Sequence, residues 1–258
     1  MRCIKRNTSR LKIEVEEPQR KTSSDLIPMH LLTQYACRQG VMALVCRAVA
    51  TYAAGECPTD VLQTLKEIHK SLAASNMRKL AVLVKITRAL QQANITVAGF
   101  KGITIAQLAY GDITLRACGD LDILVPDENV EQARDILISL GYEPGYSSSD
   151  FQRHKLKKVI HAESFFTEDQ SIMIELHWSL SSSEFWAPIE NLNYLEDCTS
   201  VGIQQLSLPT FNLEKLFVYL CLHGQRCSGW WILAASLKPI AKTKGFGSAL
   251  WNWPKKEK

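Results

Sequence analysis

Apolar residues recur at intervals of three and four through the N-terminal part of the chain, then give way to alternation after about residue 95. From Met29 to about Ala53 the chain is rich in Ala, Leu and Val and reads as helix. Gly55-Glu56-Cys57-Pro58 breaks it, and Thr59 or Asp60 can cap a new helix in which Leu62, Leu65, Ile68 and Leu72 share a stripe. A further helix is predicted from Leu80, Leu83, Ile86 and Leu90, closing at Gln91-Gln92-Ala93-Asn94. Ile95 to Phe100 is a short β-like run, and residues 103–110 can form a helix that packs back on it, stopped by Gly111-Asp112. Glu128 to Leu140 has helical periodicity with Gly141 as its stop. Val159–Phe166 and Ile172–Trp178 bracket Thr167 to Ser171 and predict a hairpin with a longer loop. After a Ser-rich stretch the chain is expected to return to helix around Leu213–Leu222.

This order predicts an α+β fold: a small mixed sheet with packed helices, flanked by α-helical N- and C-terminal regions. The expected divisions are a disordered leader over 1–25, a helical region over 26–94, an α/β core over 95–180 and a helical C-terminal region over 181–258. No internal repeat is present.

Composition narrows the class without naming it. The 258 residues are 46% apolar, enough for a sizeable core, and the net charge of +4 permits an anionic substrate without demanding nucleic acid. No apolar run is long enough to predict a membrane span, and no apolar signal core follows the charged N-terminus, so a cytoplasmic protein is expected. The eight cysteines are scattered, with no zinc-like spacing, and are expected to be reduced thiols.

The candidate chemistry lies in Arg116-Ala117-Cys118-Gly119-Asp120-Leu121-Asp122-Ile123-Leu124-Val125. On a strand, Asp120 and Asp122 would share one face, about 7 Å apart along the chain, while Leu121, Ile123 and Val125 anchor the other. Paired carboxylates can converge on one or two divalent cations. Glu175, the one acid on the strand Ile172–Trp178, is a plausible third ligand; Glu163 is its rival, because the hairpin loop does not fix the register. Lys101-Gly102 ends a strand before a helix, where backbone N–H groups can approach phosphates, and Arg116 is a second cation beside these parts. Arg116 could equally pair with Asp112 or Asp120, and His177 could orient a carboxylate or a phosphate or simply border a core.

Taken together, Lys101-Gly102, Tyr110, Arg116, Gly119 to Val125 and Ile174-Glu175-Leu176-His177-Trp178 resemble the polymerase-β-type nucleotidyltransferase superfamily. More narrowly they resemble a family of poorly characterised bacterial nucleotidyltransferase-like proteins, over roughly residues 95–225. The resemblance implies that Asp120, Asp122 and Glu175 are catalytic and hold Mg²⁺ or Mn²⁺, with Lys101, Gly102, Arg116 and His177 on the nucleotide side. It implies transfer of a nucleoside monophosphate from an NTP to a hydroxyl acceptor, small molecule or protein, with release of pyrophosphate. The turn is Lys-Gly where the superfamily has Gly-Gly or Gly-Ser, and its gap to Asp120 is long, as in the narrower family.

Past Leu220–His223 the chain departs from the family pattern, running through Trp230 and Trp231 into a tail with Trp251, Trp253 and a charged end. A truncated or altered C-terminal region is therefore expected, which counts against turnover. Two other readings follow: a catalytically inactive binding or scaffold protein on the same fold, and, less favoured, a nucleic-acid binder using His154-Lys155-Leu156-Lys157-Lys158.

Overall fold

The computed structural model describes residues 29–146, 160–180 and 193–224. Its first helices, α1 (Met29–Arg38) and α2 (Met42–Tyr52), divide the stretch of helical composition from Met29 to about Ala53. Gly40, at φ +66°, makes the turn between them. Where the spacing predicts two helices between 59 and 92, one unbroken helix runs instead: α3, Thr59–Gln92, 34 residues and about 51 Å long. Nothing between Leu72 and Leu80 is a helix breaker, so the two apolar stripes belong to one rod that serves two cores. Its first half packs Leu65, Ile68 and Leu72 against Ala36, Met42 and Cys46 of α1 and α2. Its second half places Leu80, Leu83, Ile86 and Leu90 under the sheet.

The five-stranded sheet has the order β1-β2-β5-β4-β3, built from β1 (Ala98–Gly99), β2 (Leu121–Leu124), β3 (Glu143–Pro144), β4 (Ala162–Phe166) and β5 (Met173–His177). β2 and β5 run parallel at its centre, and every other pairing is antiparallel. Helices α4 (Gly102–Tyr110) and α5 (Val130–Ser139) connect the first strands. Gly111, at φ +68°, caps α4 through a 2.8 Å bond from its N–H to the Gln107 carbonyl.

Residues 199–210, expected to lie in a helical region, form a second sheet: the antiparallel pair β6 (Thr199–Ile203) and β7 (Leu206–Thr210). Val201, Ile203 and Leu208 alternate inward and join the main core. The turn Gln204-Gln205 carries no Gly or Asn, although Gln204 adopts φ +55°, so the usual hairpin signal is missing from the sequence. Helix α6 (Leu213–Gly224) follows as predicted. The leader, the basic run 154–158, the Ser-rich stretch 181–183 and the Trp-containing tail lie outside the described residues. No helix among the described residues is long and apolar enough to cross a membrane.

Candidate active site

Pleating divides β2 and β5 between two tasks. Leu121, Ile123, Ile174 and Leu176 point into the core with Phe165 of β4. Asp122, Glu175 and His177 take the alternate positions and so face the other way. The parallel register sets Asp122 opposite Glu175 and Leu124 opposite His177. The antiparallel register of β4 sets Ser164 opposite Glu175 and Glu163 opposite Leu176. Glu163 therefore points to the far side of the sheet, where it is buried beside Arg134 of α5 at 3.4 Å. A one-residue difference in register separates the two rival acids.

Asp122 is the hub. Its Oδ1 accepts from the Lys101 ammonium at 2.6 Å and lies 3.2 Å from His177 Nε2, which is also 3.2 Å from Glu175 Oε2. Ligand atoms of Asp122, Glu175 and His177 all lie within 4.8 Å of one another. Burial works against the charge of Asp122, but the hydrogen bond from His177 and the Lys101 charge outweigh it and hold the carboxyl below its ordinary value. Burial also opposes a charged His177, yet its bonds to Asp122 and Glu175 carry its pKa above the usual one. For Lys101 the desolvation cost is overcome by Asp122, and the ammonium is held well above its ordinary pKa.

Asp120 stands apart from this group. β2 begins one residue after it, so Asp120 is at the strand's entrance, half-exposed, rather than on the strand as expected. Burial, and then the negative charge of Asp122, push its pKa up, with Glu175 adding to the effect. Three carboxylates thus share one region, and their mutual repulsion is what a cation would relieve.

The residues fit a divalent cation. Asp122 Oδ2 is buried without a hydrogen-bond partner, an orphan acceptor that the protein's own groups do not satisfy. The carboxylate oxygens of Asp122, Glu175 and Asp120 are the hard donors such an ion takes.

The Lys101-Gly102 turn abuts the acids through the main chain. Gly102 has φ +51°, and a Cβ there would sit 3.1 Å from the Asp120 carbonyl oxygen, so a side chain would both strain the turn and push on the acid-bearing loop. Arg116 donates from Nη1 to the Gly102 carbonyl at 3.3 Å, and its Nε is buried without a partner. It pairs with neither Asp112 nor Asp120: Asp112 instead caps the short turn that follows it, accepting from Thr114 N–H at 2.8 Å and Thr114 Oγ1 at 2.7 Å.

Two contributors were not foreseen. Asn76, in the middle of α3, donates from Nδ2 to the Ile113 and Arg116 carbonyls at 2.6 Å each, and its Oδ1 accepts from the Cys118 N–H at 3.4 Å. It clamps the loop that carries Arg116 toward Asp120. The signal was present: Asn76 interrupts the apolar stripe Leu72, Leu80, Leu83, and a polar residue on a buried stripe needs partners. The other is Tyr219 of α6, whose ring lies 5.8 Å from the Lys101 ammonium; nothing on its apolar helix distinguished it.

A cavity of about 550 Å³ opens beyond the C-terminal ends of β2 and β5, beside Val125, Trp178 and Tyr194, but none of the candidate acids lines it. Cys37, Cys46, Cys57, Cys118 and Cys198 carry free thiols.

The acid-bearing strands and the Lys-Gly turn lie within residues 26–232, which match a known protein family throughout. The chain belongs to the uncharacterised nucleotidyltransferase family. The match begins before α1, so the family unit includes the helical region and extends well beyond the α/β core. No curated protein matches the chain. Similar solved structures include the antibiotic-resistance factor ANT(2'')-Ia, 14% identical with TM-score 0.46, over 68% of this chain and 92% of that one. The lincosamide antibiotic adenylyltransferase LnuA, in its lincomycin-bound structure, is 13% identical with TM-score 0.39, over 58% and 90% respectively. An antigenic nucleotidyltransferase-like protein from Paracoccidioides brasiliensis is 16% identical with TM-score 0.41, over 67% and 85%.

Proposed function

We propose that this nucleotidyltransferase-family protein transfers a nucleoside monophosphate from an NTP, ATP among the candidates, to a hydroxyl acceptor on a small molecule or protein. The observation that carries the reading is the convergence of Asp122, Glu175 and His177 on one sheet face, with one buried Asp122 oxygen left without a hydrogen-bond partner. In the reaction the acceptor oxygen bonds to the α-phosphorus, the bond from that phosphorus to the β-phosphate bridging oxygen breaks, and pyrophosphate leaves. A divalent cation, Mg²⁺ or Mn²⁺, held by Asp120, Asp122 and Glu175, would supply Lewis acidity and neutralise triphosphate charge.

Glu175 is the partly exposed acid of the Asp122, Glu175 and His177 cluster, with 27% of its side chain open, and is the candidate to take the acceptor's proton. His177 reaches both Asp122 and Glu175 through its Nε2, so it is the candidate to orient the base. Lys101, Arg116 and the backbone N–H groups at the start of α4, where Gly102 permits close approach, are the candidates to hold phosphates. Asn76 holds the Arg116 loop through the Ile113 and Arg116 carbonyls.

The test incubates pure protein with each α-phosphate-labelled NTP, Mg²⁺ or Mn²⁺, and a nucleotide-depleted cell extract, with Asp122→Asn beside it. Label passing to an acceptor with the wild type alone supports transfer. Metal-dependent retention of label without transfer points to the inactive binding protein, and no interaction by folded protein rejects the reading.

A further inference from the structure

Asp122 carries its charge where water does not reach: its side chain is 0% exposed, while that of Lys101, its partner, is 16% exposed. The ammonium is seated on three sides. Asp122 Oδ1 faces it at 2.6 Å, and the rings of Phe100 and Tyr219 lie 5.5 Å and 5.8 Å away, at cation–π range. A buried carboxylate stripped of such a partner is strongly disfavoured, so the contact has a clear purpose in the cation-free protein. The main chain of Lys101 is pinned separately, because Thr104 donates to its carbonyl from N–H at 3.2 Å and from Oγ1 at 2.8 Å. The four-carbon side chain can therefore swing without moving the turn.

Resting on the nucleotidyl-transfer reading, we infer that Lys101 is the resident counter-ion of Asp122, displaced when a divalent cation enters and thereby released to meet the triphosphate. The argument is one of charge. An ammonium within hydrogen-bond distance of Asp122 and a dication on the same carboxylate would face each other across a few ångströms of poorly screened interior, where like charges repel strongly. Asp122 Oδ1 already accepts from Lys101, so a dication taking the unpartnered Oδ2 would share one carboxylate with the ammonium and repel it. The ammonium that leaves needs an anion, and the triphosphate brings one. Cation and nucleotide consequently bind with positive coupling, and Lys101 carries that coupling.

Two measurements decide it. Mn²⁺ titration by calorimetry on the wild-type full chain, Lys101→Met and Lys101→Arg should show K101M binding about tenfold tighter in the absence of nucleotide, with K101R close to wild type. In the wild type alone, acetylation of Lys101 by acetic anhydride, followed by mass spectrometry, should be several-fold faster when Mg²⁺ is present; this arm decides by itself if K101M does not fold. Wild type that binds Mn²⁺, with K101M equal or weaker and acetylation unchanged by Mg²⁺, overturns the inference and leaves the transfer reading standing. No Mn²⁺ binding by either folded protein, with nucleotide absent or present, removes the cation site, and both readings with it.

Discussion

The two faces of β2 and β5 differ by one residue in the alternation and in almost everything else. On one face Leu121, Ile123, Ile174 and Leu176 pack with Phe165 and the second half of α3, all 2% exposed or less among the strand residues named. On the other, Asp122 and His177 are buried as deeply, at 3% each, but are held by charge and hydrogen bonds beside Phe100. The aliphatic face needs only shape and area to stay together. On the charged face Lys101, Asp122, His177 and Glu175 balance one another, so removing any one changes the charge balance of the rest. The same strands thus set an aliphatic face against one on which the candidate site residues lie beside a second apolar cluster containing Leu124 and Phe100.

The sharpest way to break this separation is on the charged face. On the proposed reading, Asp122→Asn should lower nucleotidyl transfer by about three orders of magnitude or more, since a bound cation would lose its central carboxylate. Single-turnover rates, with circular dichroism confirming the fold, measure it; transfer within tenfold of wild type would refute the assignment. On the aliphatic face, Leu176→Ala should cost about 2–5 kcal/mol in urea unfolding, while the folded fraction keeps its transfer rate. A rate loss exceeding the loss of folded protein would mean the two faces are not independent.

Asn76→Ala tests the link between them, because it sits in the helical spine yet holds the Arg116 loop. Leaving the Ile113 and Arg116 carbonyls unpaired should cost about 1–3 kcal/mol and raise the KM for nucleotide more than it lowers kcat. Equal changes in both would assign Asn76 to stability alone.

The smallest effect lies at the hairpin loop joining β4 to β5. Hydrogen bonds from Thr167 and Ser171 lower the Asp169 pKa from 3.8 to about 2. A carboxyl depressed on folding contributes stability that is present above its unfolded pKa and lost as pH falls through the folded one. The stability difference between wild type and Asp169→Asn should therefore be flat above about pH 4 and shrink toward pH 2. A difference unchanged across that window would show that the loop bonds do not depend on the ionised acid.

Much of the site was legible in the chain because side-chain alternation on a strand is a local property. Leu121, Ile123 and Val125 declared which face of β2 was buried, and Asp122 necessarily took the other. Glu175 and His177 followed from the same argument within β5. The two-helix reading of 59–92 failed because each half of α3 serves a different core, so one helix shows two unrelated stripes. The hairpin at 199–210 was missed because its turn residues lack the usual signature, although Val201, Ile203, Leu206 and Leu208 alternate as a buried hairpin should.

By itself, then, the sequence determined which residues could act together within each strand: Asp122 with Leu124, Glu175 with His177, and the Lys101-Gly102 turn ahead of α4. Tertiary structure decided which of them meet. The pairing of Asp122 with Glu175 and not Glu163 comes from the parallel register of β2 and β5, fixed by aliphatic packing on the far face. The seating of Lys101 between Asp122, Phe100 and Tyr219 joins three elements distant in the chain. Periodicity is short-ranged and can be read residue by residue. Register and docking are settled by the sum of contacts across the core, which no local pattern contains.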